Sequence, residues 1–97
     1  MIEINEIKIE GKHCIGLKVL MPDAPPLIMV RGERGVLFCG YLNPEAAEKL
    51  HMAAAIVRGV ASLEEALEKP VVYVTKQAEA LGATVGMSGK DALRQFL

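Results

Sequence analysis

Residues Gly35–His51 read GVLFCGYLNPEAAEKLH, and the fold turns on the change of period inside this stretch. Val36–Tyr41 is a β-rich apolar run closing on Cys39 and Gly40. Asn43-Pro44-Glu45 then carries the marks of a helix start. Asn43 is a good N-cap, Pro44 stands at the first helical position where a missing amide costs nothing, and Glu45 suits the positive end of the helix dipole. A strand, a corner and a helix to about His51 are predicted.

Upstream of this stretch the chain reads as strands. Ile2 and Ile4 alternate with Glu3, the phase slips at Asn5-Glu6, and Ile7 and Ile9 resume it. Such a slip predicts a bulge or bend. Glu10-Gly11-Lys12 is a turn, so the first strand is expected to pair with His13–Met21 as a hairpin. In that second strand Ile15, Leu17 and Val19 share one face, while Cys14, Gly16, Lys18 and Leu20 share the other. Pro22–Pro26 reads as a loop because proline lacks the ladder donor. Leu27–Val30 makes a third strand, and Gly32 and Gly35 suit a tight hairpin into the fourth.

Downstream, Ala54–Gly59 within MAAAIVRGV is read as a short buried strand, the possible fifth. Ser62-Leu63-Glu64-Glu65 is a capping box for a helix that stops near Lys69, before Pro70. Val71, Val74, Ala78 and Leu81 fall on one helical stripe, which predicts a helix over Val71–Leu81 ended by Gly82. Ser88 and Asp91 imitate a capping box for a last helix carrying Ala92, Leu93 and Phe96. An N-terminal antiparallel meander of about four strands, with three to four short helices mostly from the C-terminal half, is an α+β class.

Bulk properties narrow the function. Ninety-seven residues suit one compact domain, 1–97, burying roughly 65% of its unfolded surface. The chain is 52% hydrophobic with 4% aromatic residues, so its core must be aliphatic. An apolar surplus in so small a chain predicts self-association, hence a homo-oligomer. Eleven basic and twelve acidic side chains give a net charge of −1 without a block of either sign, which argues against nucleic acid and anionic membrane as partners. The N-terminus lacks the apolar region of a signal peptide, and no apolar run reaches membrane-spanning length. With two cysteines only, a disulfide scaffold is not expected, and a reducing, cytoplasmic setting with free thiols is.

Three runs, GVLFCGYLNPEAAEKL, AIVRGVASLEEALEKP and AEALGATVGMSGKDAL, occur in an order that resembles the YunC-like family of uncharacterised bacterial and archaeal proteins. The resemblance spans nearly the whole chain. It implies a compact α+β domain and carries over no activity and no catalytic residues.

Cys39 is the sharpest candidate for chemistry. Ending a strand just before a helix, it would meet backbone amides near Asn43–Ala46 that stabilise a thiolate, with His51 or His13 as base. The competing reading is a small buried apolar residue beside a glycine that permits close approach. Arg58, inside an apolar run, requires either a structural partner such as Glu64 or Glu65, or a pocket and an acidic ligand. A pocket, if formed, would draw together Cys39, Gly40, Tyr41, Asn43 and Arg58. Metal-ligand spacings are missing: there is no CxxC, HExxH or HxxxH, and adjacent His13 and Cys14 point to opposite faces of a strand. Neither metal nor cofactor is expected. GATVGMSGKD fails the phosphate-loop pattern, leaving the amides of Gly89 and Lys90 as a weak anion candidate against simple capping by Ser88. Two functions are therefore expected in order: a homo-oligomeric binding or interaction domain first, and a small thiol-dependent enzyme or ligand sensor centred on Cys39 second.

Overall fold

The computed structural model describes all residues, Met1–Leu97. Ten elements follow in chain order: β1 (Ile2–Ile9), β2 (Lys12–Met21), β3 (Ala24–Arg31), β4 (Val36–Phe38), α1 (Pro44–Lys49), β5 (Ala54–Ile56), α2 (Leu63–Glu68), β6 (Tyr73–Val74), α3 (Lys76–Ala80) and α4 (Gly89–Arg94). The strands form one six-stranded sheet in sequence order. β1 to β4 pair antiparallel, β4 and β5 pair parallel, and β5 and β6 pair antiparallel. This is an α+β fold on a mixed sheet with an N-terminal antiparallel meander. The parallel step needs a crossover of a dozen or more residues, and the segment from Cys39 to Ala53, with α1 inside it, provides one.

Four expectations about local structure need correction. β1 carries no bulge: its register with β2 is unbroken from Ile2↔Val19 to Ile9↔Lys12. The slip in the isoleucine pattern is instead a change of face, with Ile7 and Ile9 turned to the core and Ile2 and Ile4 turned away. The irregularity lies between β2 and β3, after Val19. There Pro25 and Pro26 belong to β3 and not to a loop, because a bulge removes the demand for ladder amides they lack.

The third correction concerns Val71–Leu81, which is not one helix. Val71 and Val72 lie outside any helix, Tyr73–Val74 forms β6, and only Lys76–Ala80 is helical. Thr75 decides the break. Its side chain caps α3 at the Ala78 amide, accepts from the Ala54 amide and donates to the Met52 carbonyl. With the Val72 amide on the Ile56 carbonyl and the Thr75 amide on the Ala54 carbonyl, this segment satisfies the far edge of β5. β-Branched residues pay little for that conformation. Fourth, β4 ends at Phe38, so Cys39–Leu42 is the corner itself.

The remaining helix starts match the sequence signals. Asn43, Ser62 and Ser88 each cap their helices through the side chain. The core lies on the sheet face of Ile7, Ile9, Cys14, Ile28, Val30, Leu37, Ala55 and Val57, against Leu63 and Ala66 of α2 and Ala92, Leu93 and the following Phe96. Gly32 and Gly35 serve this packing rather than turn geometry. A β-carbon on Gly32 would stand 2.6 Å from the Phe96 carbonyl oxygen, and one on Gly35 2.6 Å from its ring, so the hairpin reaches Phe96 only because both side chains are absent.

Opposite this core is a second sheet face. Its apolar residues, by register, are Ile2 and Ile4 of β1, Ile15, Leu17 and Val19 of β2, Leu27 and Met29 of β3, and Phe38 of β4, and Glu6 and Arg31 flank Ile15 on the same face. At the β4–β6 end the same face is closed: Val36, Ala54 and Ile56 are buried, and Glu48 of α1 accepts a hydrogen bond from Tyr73 there at 2.7 Å. At the β1–β3 end it is bare, with Ile2 62% and Ile4 68% exposed.

Candidate functional site

The corner after β4 borders a cavity of about 340 Å³ lined by Pro25, Pro26, Cys39, Gly40, Tyr41, Arg58, Gly59 and Val60. Three segments meet there. The end of β4 delivers Cys39 and Gly40, the bulged start of β3 delivers the two prolines, and the exit from β5 delivers Arg58–Val60. Hairpin register explains the first juxtaposition: Met29 pairs with Phe38, so Cys39 falls opposite Ile28 and Tyr41 comes beside the prolines. The Tyr41 hydroxyl donates to the Pro25 carbonyl at 2.6 Å, which pins the corner to β3.

Cys39 sits at the edge of the cavity and is 5% exposed. It is held by a reciprocal pair of contacts with Ile28: its own amide donates to the Ile28 carbonyl at 3.0 Å, and its Sγ accepts from the Ile28 amide at 3.3 Å. The thiol therefore occupies the place a ladder carbonyl would take. The expected activation of this sulfur is not built. The amides of Glu45 and Ala46 donate to Asn43 Oδ1 at 2.8 and 3.2 Å, so α1 spends them on its own cap. Neither histidine lines the cavity. His13 faces Glu6 at 3.0 Å on the β1–β2 hairpin, and His51 ends α1 with a positive φ of 56°.

Of the five residues expected to converge, the structure brings together Cys39, Gly40, Tyr41 and Arg58. Asn43 stands outside the lining as a helix cap. Arg58 has no ion pair: the salt bridges of the molecule join His13 to Glu6, and Arg94 to Glu10 and Asp91. The suggested partner Glu65 instead accepts from the Ala61 amide at 3.1 Å. The Arg58 side chain lies across Gly40, close enough that an added β-carbon there would be 3.7 Å from its guanidinium. It is the cavity's one charged group.

Pro25, Pro26, Gly59 and Val60 complete the lining without having been singled out in the sequence. For the prolines a signal existed. Closing a tight hairpin across Gly32–Gly35 places residues 25 and 26 beside 41 and 42, and no separate motif is needed. Gly59 has φ of +69°, the left-handed turn that folds Arg58 and Val60 around the cavity rim.

Elsewhere, chemistry-bearing groups serve structure. Cys14 is fully buried, and burial pushes its thiol pKa up. The Gly89 amide donates to the Lys69 carbonyl at 2.9 Å, so one of the two amides suggested for an anion at that helix start is already occupied. No three of the His, Cys, Asp and Glu side chains are grouped to hold a metal ion. No helix is long and apolar enough to cross a membrane. Glu48 ties α1 to the far sheet edge through the Tyr73 hydroxyl and the Lys76 amide. The Tyr73 hydrogen bond first, then the Lys76 amide, hold its carboxyl below the usual range, and the same bond raises Tyr73.

Comparison with known proteins places this geometry in a lineage. The model of a domain of unknown function, DUF1805, matches residues 38–96, from the end of β4 through α4. The uncharacterised protein YunC of Bacillus subtilis strain 168 is 32% identical over 102 residues, covering 100% of this chain and 99% of the relative. Among solved structures, the crystal structure of a protein of unknown function, TA1206 from Thermoplasma acidophilum, superposes with a TM-score of 0.94 at 30% identity. That match covers 100% of this chain and 94% of the other.

Proposed function

The chain belongs to the DUF1805 family, and from that premise we propose that it is a cytosolic, homo-oligomeric binding domain that self-associates through the bare end of its sheet. The observation that carries this reading is the continuous apolar face of β1–β3, on which Ile2, Ile4, Ile15, Leu17, Val19, Leu27 and Met29 stand together. Large apolar side chains gathered on one open sheet face mark an interaction surface, whereas scattered ones do not.

The occupant is a second copy of the same chain. These seven side chains carry no charge, and the charges that share the face, Glu6 and Arg31 on either side of Ile15 with Lys8 and His13 beyond, lie at its hairpin margin, so two copies meeting over Ile2, Ile4, Leu17, Val19, Leu27 and Met29 leave no ionised group stranded at the centre. An isologous contact of this kind is the commonest route to a dimer. Three strands about 4.8 Å apart, each roughly eight residues long at about 3.3 Å per residue, present on the order of 400 Å² of projected area. Side-chain relief enlarges that figure, so two copies together remove about 1,000 Å² from water, the lower range for a specific interface. The two unbridged, buried cysteines support a reducing compartment.

Sedimentation velocity between about 5 and 100 μM tests the reading. The wild-type protein is expected to sediment as a dimer or larger closed assembly, and Ile4→Glu and Leu17→Glu each as a monomer with an unchanged circular dichroism spectrum. A wild-type monomer at the highest concentration, or association that survives both substitutions, refutes it.

A further inference from the structure

We infer that the corner cavity is a binding site for a small organic carboxylate with an apolar body, its oxyanion on Arg58 and its body against Pro25, Pro26 and Val60. This deepens the binding-domain reading by naming a ligand class, and it uses a part of the surface distinct from the bare sheet face. Three observations carry it together. Arg58 is the cavity's one charge and has no carboxylate partner, so the site has a fixed cationic end. The rest of the lining is apolar or uncharged: two prolines, a valine, two glycines, a tyrosine whose hydroxyl is already committed to Pro25, and a thiol already committed to Ile28. The volume, about 340 Å³, lies at the small end of ligand sites.

A guanidinium is shaped for a carboxylate, offering two parallel donors to its two oxygens. A bare inorganic anion would satisfy that fork and leave the proline–valine wall against water. A neutral ligand would fill the wall and leave the fork unused. The observed combination selects a molecule carrying both, a short branched or aromatic acid with a compact hydrocarbon end. The other basic cavity, lined by Lys12, His13 and Arg31 at the opposite end of the sheet, does not make the same case. It is larger, about 430 Å³, contains the Glu33 carboxylate, and its histidine is engaged by Glu6.

Amide chemical-shift titration of the intact protein tests the inference, with benzoate and isobutyrate as probes, benzamide as the neutral control and inorganic phosphate as the anion without a body. Benzoate and isobutyrate are expected to move the resonances of Gly40, Tyr41, Gly59 and Val60 in a saturable way, more weakly at higher ionic strength. Benzamide and phosphate are expected to leave them in place. Arg58→Gln, a change at an exposed position, should weaken benzoate binding about tenfold or more, the loss of one charge-assisted contact. Arg31→Gln should not change it. Absence of saturable shifts at the corner, equal binding of benzamide or phosphate, or undiminished binding in Arg58→Gln each overturns the inference. The sedimentation state of the same samples is a separate readout, so loss of the ligand site and loss of self-association are told apart.

Discussion

Replacing Cys39 with alanine and with serine separates packing from hydrogen bonding at the corner, and the order of the two variants is the test. Both substitutions remove the sulfur and the same apolar contact, which at the usual scale for one buried methylene-sized group costs about 0.8 kcal/mol. They differ in one atom. Alanine leaves the Ile28 amide, whose residue is 1% exposed, without the acceptor it now finds in Cys39 Sγ at 3.3 Å. A buried amide left unsatisfied costs about 1–3 kcal/mol. Serine restores an oxygen acceptor, drawn back somewhat by its shorter bond, and its own hydroxyl proton faces the cavity, where water can accept it. Cys39→Ala is therefore expected to lose about 2–3 kcal/mol and Cys39→Ser about 1–2, with serine the more stable by about 1 kcal/mol. With a urea dependence of about 1.5 kcal/mol per molar for a chain of this size, the midpoints should differ by roughly 0.7 M. The measurement is urea unfolding at one fixed protein concentration, because the proposed self-association would make apparent stability concentration-dependent. If alanine equals or exceeds serine, the sulfur is only an apolar filler and the hydrogen-bond argument is wrong.

Two further predictions concern the frame around the site. A β-carbon on Gly89 would stand within 1.9 Å of the Ala66 carbonyl oxygen, a backbone atom that cannot swing aside, so Gly89→Ala should destabilise by about 3 kcal/mol or more through separation of α4 from α2. Gly59→Ala meets no atom and carries only the left-handed backbone cost of about 1–2 kcal/mol; equal losses in thermal melts of the two variants would contradict the packing argument. For the α1 tie, the Glu48 carboxyl is lowered by its bond to Tyr73, so its contribution is complete above the ordinary carboxylate value of 4.5 and is lost as pH falls below it. Tyr73, raised by the same bond, contributes below its ordinary value of 10.0 and loses that contribution as pH rises through its raised pKa. Glu48→Gln should flatten the acid limb of a melting-temperature profile between pH 3 and 7, and an unchanged acid limb would show that the bond does not couple to folding.

Much of the chain's local structure was legible in its residues. Asn43-Pro44-Glu45, Ser62 with Glu65, and Ser88 with Asp91 announce helix starts through side chains two to three residues from the amides they satisfy, and all three are in place. The strand-to-helix change near residue 40 and the α+β class follow from the same short-range chemistry. Thr75 is the instructive failure. Its position inside the Val71–Leu81 stripe matches a helix interior, yet its hydroxyl ends β6, caps α3 and bonds to Met52 and Ala54. The stripe was real, but the open edge of β5 had amides and carbonyls to satisfy, and those groups are twenty residues away in the chain.

The corner divides in the same manner. The sequence points to Cys39, Gly40, Tyr41 and Arg58, because a thiol, a glycine and a cation in apolar surroundings each need an explanation. It says nothing of which amides α1 uses for itself, so residue types alone group Asn43 with the pocket and offer the thiol donors that the cap already holds.

Where α1, α2 and α4 begin was determined by the sequence alone, since side-chain caps act within a few residues. Which face of the meander the helices cover was decided only by the tertiary structure. Alternation gives β2 two apolar faces, Ile15-Leu17-Val19 and Cys14-Gly16, and the helices settle on the second, where Gly16 lets Leu63 approach so closely that an added β-carbon would be 2.9 Å from it. A gap left by a missing side chain has meaning only once a distant residue fills it. That choice leaves the broader apolar face bare, and a cavity with one unpaired cation at its far corner.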